Sequence, residues 1–289
     1  MSFFTTYSRK LENLIAVVIF LITFAVYFST MAPTVSFWDT GEFIATSHIL
    51  GVPHPPGSPL FLLVGKFFSL IPISSDIAYR VNIFSPIISA LTISLLFLIC
   101  NQFIDRVEPK DSNKFFKMWS SLTASLTFAF THSHWFNAVE TEVYAFSGFM
   151  TALVIYLIMR WSEKMHNSDH VIYLIFISYI IGLATGLHLL NLLTIPFIGL
   201  IIYFSIGKIS TKNLILTITL SLISFFGIQS FIIQGLPQIT ASIGLIGLML
   251  LIISLIAFTV YSIKSRKAFS SIFLSSTLLI IIGYSTYFS

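Results

Sequence analysis

The sequence predicts an all-α polytopic membrane protein of about nine transmembrane helices, with a first external loop that carries interfacial helices. Two observations predict it. Hydrophobic residues make up 56% of the 289 positions and charged residues only 9%, whereas a soluble domain of this size needs roughly a quarter charged residues to cover its surface. The apolar residues are also gathered into long runs, with the Lys and Arg residues in the gaps between them.

A hydrocarbon layer about 30 Å thick needs about 20 helical residues. Stretches that meet this are 12–29, 82–104, 118–136, 143–160, 170–187, 190–206, 213–234, 241–262 and 269–287. The first follows "YSRKLEN" and has some signal-peptide character, but no persuasive cleavage site follows it, so it is read as a retained span. Residues 60–71, "LFLLVGKFFSLI", are apolar but too short to cross, and they read as a helix lying at the interface. Cys100 lies alone in an apolar run, which excludes a disulfide framework. The net charge of +4 is spread in short clusters, a pattern of membrane topology and not of nucleic-acid binding.

With a cytoplasmic amino terminus, thirteen of the fifteen basic residues fall inside, among them Arg9, Lys10, Arg106, Lys110, Lys117, Lys208, Arg266 and Lys267. Only Lys66 and Arg80 fall outside, a bias that fixes the expected orientation. The external side receives the segment 30–81, a connection near 132–142, the turn near His188 and Asn191, and the turn "QGLPQ" at 234–238. Acidic and imidazole groups collect there, which points to an active or binding face.

The first external segment contains "FWDTGEF", where Asp39 is expected to cap a helix over Thr40–Leu50 and Glu42 stands at the capping-box position. Asp39 and Glu42 could equally turn toward one cleft. Gly51–Pro59 holds four prolines and two glycines in nine positions, a stiff path that would place His54 beside the membrane surface or merely turn a corner.

The second segment, "THSHWFNAVETEVYAF", carries His132 and His134 two apart, then Glu140 and Glu142. These lack compact zinc spacing, and a divalent ion shared with a phosphate substrate is the metal reading that stays open. Asn137, Glu140 and Tyr144 would share one side of a helix. Asp39 and Glu140, from separate loops, would form a carboxylate pair in which one takes a proton from an acceptor hydroxyl and the other orients it. His54, Arg80 and His188 could donate to a phosphate leaving group, and Arg80 could equally be a snorkelling anchor. Trp38, Phe37 and Trp135 could line a sugar cleft or belong to an aromatic belt.

"PTVSFWDTGEFIATSHILGVPHPPGSPLF", "AYRVN", "HSHWFNAVETEVYAF", "GLATGLHLLNLL" and "GYSTY" together resemble the amino-terminal membrane region of bacterial proteins related to transmembrane protein 260. Those belong to the GT-C superfamily of membrane glycosyltransferases, which use polyprenyl-phosphate-linked sugars. The resemblance implies a single GT-C-like transmembrane domain over 1–289, the amino-terminal part of a longer architecture, in a bacterial inner membrane. It implies inverting transfer to an acceptor hydroxyl, on protein in preference to lipid. It matches Asp39 to the superfamily's acceptor carboxylate, His54 to the histidine of a His-Pro-Pro motif, and Glu140 or Glu142 to the acid of the second loop. With the residue chemistry above, Asp39, Glu42 and Glu140 are expected to be catalytic, and Trp38, His54, Arg80, His132, His134, Glu142 and His188 to bind substrate.

Two other readings compete. A transporter or flippase of a lipid-linked solute would carry polar or helix-breaking groups at mid-bilayer depth, often in repeated halves. A noncatalytic scaffold would use late spans such as the one bearing Gly244 and Gly247 for packing.

Overall fold

A computed structural model describes residues 2–55, 57–107, 114–166, 170–206, 209–265 and 268–284. Pro56, Lys110, Lys208, Arg266, Lys267 and the Ser285–Tyr287 part of the terminal motif lie outside these. All regular secondary structure among the described residues is helical, with no strand. They fall into two compact units, Met1–Tyr156 and Leu157–Ser289.

In the first unit, α1 (Ser2–Ser29) is followed by three short helices, α2 (Thr40–Ile49), α3 (Pro59–Leu70) and α4 (Ile77–Asn82). Then come α5 (Phe84–Val107), α6 (Lys114–Ala129), α7 (His132–Ala138) and α8 (Val143–Lys164), which continues past the division at Tyr156. Both faces of α1 are apolar, so hydropathy does not distinguish them. The protein-facing stripe is Ala16, Ile19, Thr23 and Tyr27, at helical spacing, while Leu14, Val17, Leu21 and Ile22 stay exposed for lipid. The stripe packs with Ala90, Ile93 and Phe97 of α5 and with Ala129 and Ala138.

Polar pins set the directions of these helices. The Ser94 hydroxyl donates to Ala16 O at 2.8 Å, and Lys117 reaches Asp105 at 2.6 Å and Glu12 at 3.3 Å, so α5 runs antiparallel to α1. The Tyr27 hydroxyl donates to Ala129 O at 2.8 Å, satisfying a carbonyl that the end of α6 leaves without a helical partner. Helix α6 therefore runs parallel to α1, from the level of Glu12 to the level of Tyr27.

The second unit contains α9 (His170–Thr185), a 3-10 turn (Leu189–Leu193), α10 (Thr194–Ile206), α11 (Thr211–Gly227), a π-helical turn (Ile228–Gln234), α12 (Gly235–Lys264) and α13 (Ala268–Tyr284). Helices α9 and α13 approach at two glycines: a Cβ on Gly182 would fall on the Ile280 backbone, and one on Gly283 would lie 2.6 Å from Tyr179 O.

The expectation of nine spans is corrected. Among the described residues six stretches are long and apolar enough to cross a membrane: Arg9–Ser29, Ile77–Val107, Val143–Lys164, Leu189–Ile206, Thr211–Gly244 and Ile246–Lys264. The chain is an integral membrane protein on that basis, but the stretches expected at 118–136, 170–187 and 269–287 fold as helices of 16, 16 and 17 residues. At 1.5 Å per residue these reach only about 24–26 Å, short of the roughly 30 Å hydrocarbon layer. The first of the three is cut at Phe130–Thr131, where Thr131 turns to extended backbone and starts α7.

The turn expected at "QGLPQ" is also helical. Pro237 sits in the first turn of α12 just after the π-helical turn, where a missing N–H is accommodated. The break comes instead at Gly244, whose φ of 71° is open to glycine.

Candidate functional site

Residues 30–39 leave the end of α1 and lead into α2. Trp38 takes φ 59° and stands 84% exposed, with Phe37 exposed beside it. This turn sets Asp39 at the start of α2 in helical backbone geometry. Its carboxylate makes no capping hydrogen bond, and its carbonyl accepts the Phe43 amide at 2.9 Å. The expected cap is thus corrected: a cap needs extended backbone at that position to swing the side chain back over the first amides. Asp39 keeps its carboxylate for other partners.

Glu42 departs from the capping box in the same way. Its two oxygens accept the backbone amide of His54 and meet the imidazole Nδ1, each at 2.7 Å. The proline-rich loop is thereby strapped to α2, and the His54 ring packs on Phe43. The hydrogen bond to Glu42 holds the His54 imidazole above its ordinary pKa, and the same bond holds the Glu42 carboxyl below its own.

Ligand atoms of Asp39, Glu42 and His54 all lie within 4.8 Å of one another. Two carboxylate oxygens and one imidazole nitrogen form a donor set that suits a divalent cation such as Mn²⁺ or Mg²⁺. Among the described residues this is the group suited to a metal, and His132 and His134 are not in it.

The second segment meets this site through an irregular stretch, Val139–Glu142, between α7 and α8. The expected shared helical side for Asn137, Glu140 and Tyr144 is corrected accordingly, since Glu140 stands outside both helices. The Ala32 amide donates to Val139 O at 2.8 Å, and the Ser36 hydroxyl donates to Glu140 Oε2. Glu140 is 3% exposed, and its Oε1 is buried with no hydrogen-bond partner among the described residues. Glu142 is also buried. Its carboxyl is pushed up to about 7, first by burial and then by the negative charges of Asp39 and Glu140. Asp39, Glu42, His54, Glu140 and Glu142 therefore form one acidic cluster at the end of the unit where α1 finishes.

The other expected site residues make contacts of their own. Arg80 donates to the carbonyls of Ser74 (2.6 Å), Ser69 (2.9 Å) and Ser75 (3.4 Å), which fixes the loop between α3 and α4. Asp76 caps α4, accepting from Ala78 N and Tyr79 N. His134 lies between Tyr27 and Phe128, and burial pushes it down to about 4. His132 is exposed and stacks on Phe136. His188 belongs to the second unit, where its Nδ1 accepts the Leu190 amide and caps the 3-10 turn.

The sequence reading passed over Ser36, Asn82 and Thr141. Asn82 is fully buried, and its amide nitrogen donates to Ala32 O at 2.9 Å and Thr34 O at 3.0 Å. Its amide oxygen accepts the Thr141 hydroxyl. A polar amide at the head of an apolar run was the available signal, since such a group is buried only when its partners are supplied.

The family described as the protein O-mannosyl-transferase TMEM260 N-terminal domain matches residues 39–212. The chain is 26% identical over 230 residues to a protein O-mannosyl-transferase tmem260 from Dictyostelium discoideum, covering 75% of this chain and 26% of that protein. It is 30% identical over 149 residues to the Mus musculus protein O-mannosyl-transferase TMEM260, covering 51% of this chain and 20% of that protein. The chain thus spans about a quarter or less of the length of these relatives. No solved structure matches it.

Proposed function

Because this chain belongs to the family of the protein O-mannosyl-transferase TMEM260 N-terminal domain, we propose that it moves a sugar from a polyprenyl-phosphate-linked donor to an acceptor hydroxyl at the external membrane face. Family membership makes it a relative of named transferases. Donor, acceptor, sidedness and the GT-C type of mechanism are the further steps taken here, with a protein hydroxyl as acceptor and a hexose such as mannose as the sugar.

The observation that carries the reading is Asp39. Its carboxylate is not spent on the helix it precedes, and it stands beside the exposed Trp38 and within reach of Glu42 and His54. Such a group can accept the acceptor's proton as the new O–C1 bond forms. The C1–O bond to phosphate breaks on the opposite side, and its electron pair leaves with the phosphate, giving inversion. Trp38 and Phe37 offer apolar faces to a sugar ring. His54, whose imidazole Glu42 holds above its ordinary pKa, can donate a hydrogen bond to the leaving phosphate, and Glu140 orients the acceptor. In place of that hydrogen bond, a divalent cation held by Asp39, Glu42 and the neutral imidazole of His54 would neutralise phosphate charge. Arg80, His132, His134, Glu142 and His188 are further proposed substrate contacts.

The external placement draws support from charge. Lys117 and Arg106 lie toward the Glu12 end of α1, and the acidic cluster lies at the opposite end, as cytoplasmic basic residues require.

The test is Asp39→Asn, reconstituted with a panel of polyprenyl-phosphate sugars and a hydroxyl-bearing acceptor peptide. At equal membrane abundance, product is expected to fall by about a hundred-fold or more, and undiminished product would remove Asp39 from the reaction. Chelation, followed by return of Mn²⁺ or Mg²⁺, decides whether a cation takes part.

A second reading, a carrier of a lipid-linked solute, draws on the π-helical turn Ile228–Gln234 and the helix break at Gly244. Broken helices of this kind line the sites of transporters. Translocation of a labelled lipid-linked sugar that persists in Asp39→Asn would favour it.

A further inference from the structure

The acidic cluster is assembled from two chain segments a hundred residues apart, and each must be held against the other for its carboxylates to meet one substrate. Residues 32–36 have no regular structure, and neither do 139–142. What joins them is Asn82, the last residue of α4, which belongs to neither segment. Its two amide hydrogens go to Ala32 O and Thr34 O, and its amide oxygen takes the Thr141 hydroxyl. Thr141 is the residue between Glu140 and Glu142, and all three are buried. Two further bonds close the same junction, Ala32 N to Val139 O and Ser36 Oγ to Glu140 Oε2.

We infer that Asn82 is a positioning residue for the transfer reaction: through Thr141 on one side and the Ala32 and Thr34 carbonyls on the other, it fixes Glu140 and Glu142 in register with Asp39. The inference rests on the transferase reading for its consequence and on the hydrogen bonds for its geometry. A side-chain amide suits this task because it offers donors and an acceptor at one planar group, and all three sites used here are saturated. Aspartate would lose both donors and bury a charge against two carbonyls, and leucine would lose all three bonds. Exact placement matters because displacement of a catalytic group by about 1 Å costs on the order of a hundred-fold in rate.

The test uses the full chain with Cys100→Ser, in which Ala32→Cys and Val139→Cys form a reporter pair for disulfide closure. Asn82→Ala removes the whole clamp. Thr141→Val removes only the link to the acidic segment and keeps the side-chain shape, and Thr141→Ser restores the hydroxyl. In the chain without the reporter cysteines, Thr141→Val is expected to lower kcat by about ten-fold or more with KM within about two-fold, and Thr141→Ser to recover it. Asn82→Ala is expected to slow closure by about ten-fold. Unchanged kcat in Thr141→Val together with unchanged closure in Asn82→Ala would overturn the inference, even where Asp39→Asn abolishes transfer and so upholds the enzyme. If Asn82→Ala does not fold, the kcat of Thr141→Val decides alone. If the unsubstituted chain transfers no sugar from any donor, the transferase reading falls. Closure then decides the clamp by itself, slowed closure upholding it and an unchanged rate overturning it.

Discussion

Glu42 holds His54 twice, once at the backbone amide and once at the imidazole, each at 2.7 Å. The strap therefore has its own pH window. The lowered Glu42 carboxyl contributes above its ordinary value of 4.5 and stops contributing as pH falls through the depressed one. The raised His54 imidazole contributes fully below its ordinary 6.5 and is lost as pH rises through the elevated value. Amide exchange of the loop around His54 should be slowest between these limits and should quicken on either side. Glu42→Gln should flatten the profile, and a wild-type profile without a minimum would show that the strap does not form.

Glu142 gives a second pH effect of opposite use. Its folded value of about 7 lies above the ordinary 4.5, so the stability it lends is complete below 4.5 and declines as pH rises through about 7. Glu142→Gln should remove that decline, gaining about 1–3 kcal/mol over the wild type at neutral pH. Denaturation in detergent across pH 4 to 8, by a tryptophan fluorescence readout, measures it, and parallel curves for both proteins would refute the assignment.

Tyr27→Phe takes away the hydroxyl that caps Ala129 and leaves a buried carbonyl without that bond. The expected loss is about 1–3 kcal/mol. Lys117→Met, at the other end of α6, removes the cation shared by Glu12 and Asp105 from a side chain only 8% exposed, with an expected loss of about 1.5–3 kcal/mol. The two sites are far enough apart for their effects to add, so the double variant should lose the sum within about 0.5 kcal/mol. Thermal unfolding in one detergent checks all three.

Gly182→Ala places a methyl group on the Ile280 backbone, which cannot swing aside as a side chain would. Helices α9 and α13 must separate, at about 1–3 kcal/mol. Gly148→Ala, where the same atom meets open space, is the control and should be neutral or slightly stabilising. Equal melting temperatures for both variants would show that the close crossing does not exist.

The long spans were legible because hydropathy needs only composition: 12–29, 82–104 and 143–160 correspond to α1, α5 and α8. Hydropathy could not reveal where an apolar run breaks. The break between α6 and α7 at Phe130 and Thr131 is marked only by the short polar run 131–134 with no glycine or proline, and Gly244 breaks a helix that Pro237 does not. Within the site, the acidic residue types were evident but their partners were not. Asp-Thr-Gly-Glu is the same string whether Glu42 reaches back to a helix amide or forward twelve residues to His54. The aromatic surroundings of His134 were not legible, because only the fold brings Tyr27 and Phe128 around it. Asn82 lay inside a recognised motif and was silent, since its three partners come from segments on either side of it in the chain.

Helix α6 is tied to its neighbours near both ends, at Lys117 and at Ala129, while between them the buried Ser125 hydroxyl bonds back within its own helix. Greasy rods in oil can slide past each other at little cost, because each apolar neighbour left behind is replaced by a similar one. A slip of one turn, about 5.4 Å, would break both ties at once and drag Glu140 off Ser36. Two polar fasteners thus act as end stops, and the spacing of the clustered carboxylates is kept by anchors that never touch them.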